Sequence, residues 1–101
     1  MTMPGDLLAE ADAVVRFDST EICPGYVTVA PGTAVTWRNH DQDAAAVQIL
    51  DAYPGPDAGS VGGGMVAAHA DWQRRFEEPD VYYYTVEAIP GFVGTVEVRV
   101  P

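Results

Sequence analysis

The chain has 101 residues and a formal net charge of -10, from 15 acids against 5 bases, and 48% of its residues are hydrophobic. That length fits one domain, able to bury roughly two thirds of the surface its unfolded form exposes. The acidic balance argues against a nucleic-acid or anionic-membrane partner, both of which need a basic face. All five bases are arginines, so no lysine is present for Schiff-base chemistry.

In chain order, residues 1–12 read as an acidic leader, with room for one helical turn after Pro4, and residues 13–101 as one β-sandwich domain. The leader has no positive region and no sustained apolar run, so a cytoplasmic location is expected. Residues 13–17 form a first strand, 18–25 are irregular, and Tyr26–Val29 alternates as a half-buried strand. Pro31-Gly32 marks a turn before a strand over 34–39, which places Val35 and Trp37 on one face. A strand over 44–50 leads into a long loop from Asp51 through Pro54-Gly55-Pro56 to Gly62-Gly63-Gly64, because Gly and Pro favour irregular backbone. Residues 65–70 are ambiguous. Residues 72–76 read as a strand, and 81–87 and 94–100 as the two clearest strands. Several short strands between regular turn signals imply an antiparallel Greek-key β-sandwich, the all-β class.

The segment Val35-Thr36-Trp37-Arg38-Asn39-His40-Asp41 resembles the strand before the first copper histidine of cupredoxins of the plastocyanin, amicyanin and pseudoazurin kind. The run from Tyr82 to Val96, with Pro90-Gly91-Phe92-Val93-Gly94-Thr95-Val96 at its end, resembles their ligand loop. The resemblance implies a cupredoxin-like fold. It also places the four copper-ligand positions at Ala45, Val86, Ile89 and Phe92, where a blue-copper centre would need two imidazoles, a thiolate and a thioether. No metal and no cofactor is expected at these positions, and electron transfer through them is not expected. In the resembled fold the four meet at one end of the sandwich, either as filled core or as an apolar hollow.

Three functions compete. The first is a copper-free binding or accessory module. Its ligand would be a small apolar molecule or a basic-surfaced protein, with Ala45, Val86, Ile89, Phe92 and Tyr53 as its binding residues. The second is a cofactor-independent biosynthetic enzyme of the isomerase or cyclase type, with His40, Asp41 or Glu87 as acid or base. The third is a metal protein with a relocated site using His40, His69 or Cys23, for which no short ligand spacing is present. Cys23 is the one cysteine, so it closes no internal disulfide, and it is expected as a half-buried small hydrophobe.

Overall fold

The computed structural model describes residues 13–56 and 58–100, so the acidic leader lies outside the described residues. Among the described residues nine strands follow one another: β1 (Val14–Phe17), β2 (Ile22–Cys23), β3 (Tyr26–Val29), β4 (Thr33–Asn39), β5 (Ala45–Leu50), β6 (Ser60–Val66), β7 (Asp71–Phe76), β8 (Asp80–Val86) and β9 (Gly94–Val98). One sheet has the order β2-β1-β4-β7 and the other β3-β9-β8-β5-β6. Alternating side chains from both pack face to face, which is the expected sandwich.

Both sheets are mixed rather than wholly antiparallel. β1 runs parallel to β4, and β3 runs parallel to β9. A hairpin forces its two strands to oppose each other. These four strands meet partners far along the chain, so no turn dictates their direction. The chain also forms a short β2 inside the expected irregular stretch, pairing Ile22 with Phe17 and Cys23 with Arg16. β9 stops at Val98, and Val100 is exposed.

The largest departure is β6. The expected loop ends in a seven-residue strand through Gly62-Gly63-Gly64. Glycine lowers strand propensity, but here it makes room. A β-carbon on Gly64 would lie 2.5 Å from Trp72 Nε1, and one on Gly62 would lie 2.8 Å from Arg74 Nε. The inward side chains of β7 therefore lie directly over the β6 backbone. Arg74 fills this side of the sandwich by stacking on Phe76 at 4.5 Å and donating to the Val61 carbonyl at 3.1 Å.

The centre of the core is Trp37, fully buried on β4. Its ring lies 5.4 Å from Trp72, 6.3 Å from Phe76 and 5.3 Å edge-on from Tyr84, which stands on the other sheet. Tyr84 is also fully buried, and its hydroxyl donates to the Pro24 carbonyl at 3.3 Å. Burial pushes the Tyr84 phenol well above its ordinary 10.0. Gly94 lies against this ring, where a β-carbon would come within 2.1 Å of its Cζ.

Two outcomes are expected. Gly94→Ala should cost about 3 kcal/mol through overpacking, read as a fall in the urea midpoint at unchanged slope. Tyr84 releases its proton in the unfolded chain near pH 10 but holds it in the folded one. Its contribution to stability is thus complete below that pH and is lost as the pH rises above it. Alkaline unfolding curves of Tyr84→Phe should fall less steeply above about pH 10 than those of the parent; identical slopes would show that Tyr84 is not responsible.

Candidate functional site

The loops after β4 and β8 share one end of the sandwich because both strands run toward it. Asn39 holds the first loop. It is fully buried, and its Nδ2 donates to the carbonyls of Asp43 at 2.9 Å and Val66 at 3.2 Å. Its Oδ1 accepts the Asp41 N–H at 2.7 Å. One amide thus pins the 40–44 turn to β6 and satisfies itself, as a buried polar group must. The His40 N–H donates to the Phe17 carbonyl at 2.8 Å, tying the same turn to β1.

The second loop curls back after Val86. Ile89 donates its N–H to the Val86 carbonyl at 3.0 Å, and Phe92 to the Ile89 carbonyl at 3.2 Å. Glu87 continues the sheet in an unusual way. Its N–H donates to the Ala46 carbonyl at 2.8 Å, and its Oε1 accepts the Ala46 N–H at 3.0 Å, where a ladder carbonyl would otherwise stand. The Phe92 ring lies 6.0 Å from Tyr84 and rests on Gly25, where a β-carbon would sit 3.3 Å from its Cζ.

Ala45, Val86, Ile89 and Phe92 therefore come to one end. Ala45 and Val86 are buried core, Phe92 packs against that core, and Ile89 is half-buried. The side chains of these four residues hold only carbon and hydrogen, so a copper ion does not fit this set.

Tyr53 does not join them. It lies beyond Leu50, whereas Ala45 begins β5 at the opposite end. It stacks edge-on at 5.6 Å against Tyr83, which pairs with Leu50 on the outer face of the five-stranded sheet. Tyr53 belongs to another part of the surface because the whole length of β5 separates the two ends.

The candidate acids and bases are also divided. Asp41 and Glu87 line an open groove of about 290 Å³ together with Ser19, Asp43, Ala44, Ala45 and Ala88. His40, next to Asp41 in the chain, instead lines a second open groove of about 230 Å³ with Arg16, Phe17, Asp18, Glu21 and Cys23. His40, Asp41 and Glu87 therefore do not form one constellation.

In the second groove Asp18 Oδ1 accepts the hydroxyl and N–H of Thr20, both at 2.7 Å, and the Glu21 N–H at 3.0 Å. These bonds, the Thr20 hydroxyl foremost, hold its carboxyl below the usual carboxylate range. Cys23 is exposed rather than half-buried, since β2 is the edge of its sheet. Its cross-strand neighbour Arg16 is a base that no local reading could find. Beside the first loop, Arg38 grips Asp71 with two bonds of 2.9 and 3.0 Å, which lower the Asp71 carboxyl. Among the described residues no three His, Cys, Asp or Glu side chains converge as a metal-holding group.

No family model and no curated protein matches the chain. Solved structures do. A purple cupredoxin from Nitrosopumilus maritimus superposes with a TM-score of 0.72 at 23% identity, covering 86% of this chain and 99% of that one. The oxidized state of a proline-to-alanine mutant of amicyanin superposes with a TM-score of 0.69 at 25% identity, over 90% of this chain and 85% of that one. The reduced Cu(I) form of a proline-to-glycine mutant of amicyanin gives 0.69 at 24% identity, over the same 90% and 85%. With two mixed sheets packed as a sandwich and these neighbours, the chain has the cupredoxin fold.

Proposed function

We propose that this chain is a copper-free recognition domain, which uses the cupredoxin sandwich to hold the 40–44 and 87–93 loops against a basic-surfaced protein. The observation that carries the reading is the packing of Phe92 over Gly25 and Tyr84, at the end of the sandwich where Ala45 and Val86 are buried. Four hydrocarbon side chains stand at the positions that the resemblance gives to ligands. They serve there as a support for the loops.

Above that support lies the groove with Asp41, Asp43 and Glu87, and among the described residues no base lines it. On a chain of net charge -10 this favours a cationic protein surface over a small apolar molecule. An isomerase or cyclase would need a dry hollow beside its base. The seated Phe92 ring and the separation of His40 from Asp41 and Glu87 support the recognition reading instead.

Titration with Cu(II) followed by absorption and electron paramagnetic resonance is expected to give no intense visible thiolate-to-copper band. One equivalent bound with such a band would overturn the copper-free part. Native mass spectrometry of the chain isolated from its own cells should show a co-isolated basic protein. Asp41→Asn with Asp43→Asn should weaken that complex about tenfold and flatten its salt dependence; an unchanged complex would remove the loops from the interface. Phe92→Ala should cost about 2 kcal/mol in urea unfolding, as the loss of a half-buried aromatic support. A neutral result would mean that Phe92 supports nothing.

A further inference from the structure

Among the described residues four strands form the edges of the two sheets: β2 and β7 in one, β3 and β6 in the other. Sheet edges carry unpaired backbone groups, and proteins commonly blunt them with short strands, proline or charge. Three of the four follow that practice. β2 has two residues. β3 has four and stands between Pro24 and Pro31. β7 carries Asp71, Arg74 and Arg75. β6 has seven residues, Ser-Val-Gly-Gly-Gly-Met-Val, with no charge and no proline.

The direction of its backbone groups follows from its neighbour. Ala46 turns both its N–H and its C=O toward Glu87 of the β8 side. By alternation Ala45, Val47 and Ile49 face β6, and their partners Val66, Gly64 and Gly62 face back. Gly63 and Met65 therefore turn their N–H and C=O groups outward. Both residues are exposed, Met65 by 64%. Farther along, the Val61 carbonyl is already taken by Arg74.

We infer that the Gly63–Met65 edge of β6 accepts an extended segment of a partner protein as an added strand, with an uncharged centre and basic flanks. Main-chain bonds would supply the affinity, and the exposed Met65 and Val61 would supply side-chain contacts. The charge of the flanks follows from the surroundings. Asp51 stands at the Ser60 end, where its Oδ1 accepts the Gly59 N–H at 2.8 Å. Asp43 stands at the Val66 end, where Asn39 bonds both backbones.

A second copy is a poor occupant. Antiparallel β6-to-β6 pairing about a two-fold axis would set Asp51 of one copy against Asp43 of the other, on chains of net charge -10. This edge meets the 40–44 loop only at Asp43, and main-chain pairing along Gly63–Met65 stands whether or not the loops bind.

The probe is a labelled peptide of alternating valine and threonine with two arginines at each end. Its addition should slow amide hydrogen exchange at Gly63 and Met65 by about tenfold. Met65→Pro removes one outward N–H but no bond to β5, and should abolish capture in fluorescence anisotropy. Met65→Lys should weaken capture several-fold by repelling the arginine flanks; it decides the matter if the proline variant does not fold. A probe interrupted by a central proline should not bind. Exchange indifferent to the probe, or equal capture by the Met65 variants, would overturn the inference. Dimers of the free chain with Gly63 and Met65 already protected would do the same, by giving the edge to a second copy.

Discussion

The two sheets are joined through aromatic contacts, the edge-on meeting of Trp37 from β4 with Tyr84 from β8 at their centre and that of Phe76 from β7 with Tyr82 from β8 beside it. Trp37 also leans on Trp72 and Phe76, and Tyr84 leans on Phe92, so a chain of rings runs from the β7 side of the sandwich to the loop end. Such pairs add about 0.5–1.5 kcal/mol each beyond the area they bury. The cluster carries a cost as well. Trp37 Nε1 is buried and makes no hydrogen bond among the described residues, a defect worth about 1–3 kcal/mol in typical proteins. Ring packing outweighs that cost because Trp37 touches aromatic side chains from both sheets.

Much else is arranged around those rings. Gly94 is small because Tyr84 lies on it, and Gly64 is small because Trp72 lies on it. The glycines that look like loop punctuation are the complement of large side chains on the facing strand. At the loop end Phe92 closes the ring chain, and Asn39 fixes the turn that carries Asp41 and Asp43. The turn that carries two acids of the groove is thus set by one buried amide.

What could be read from the chain followed from periodicity. β3 turns Val27 and Val29 inward against Thr28, and β4 turns Val35 and Trp37 inward against Thr36 and Arg38, and each strand lies where that pattern places it. The cupredoxin-like fold was also legible, through resemblance rather than pattern. β6 was hidden because its glycines answer to Trp72 and Arg74, which lie far along the chain. The same holds for Arg16 beside Cys23, a cross-strand neighbour with no local signal. His40 and Asp41 adjoin in sequence yet line different grooves, because the chain turns between the two sheets at that point. Tyr53 was misplaced because loop length says nothing about the end of the strand from which the loop leaves.

The parallel pairing of β3 with β9 has a bearing on how the molecule assembles. Tyr26 lies opposite Thr95, a separation of 95 − 26 = 69 residues. Local hairpins such as β8 with β9 can close early, but this pair must bring distant stretches together, and such closures are slow because chain entropy is lost before contacts form. During synthesis β3 emerges well before β9 and waits for it to leave the ribosome. Until then its inward valines, Val27 and Val29, have no neighbour within their own sheet. The interval between those two events is when the nascent chain is most exposed to wrong partners, and chaperone contact with this segment would fall within it.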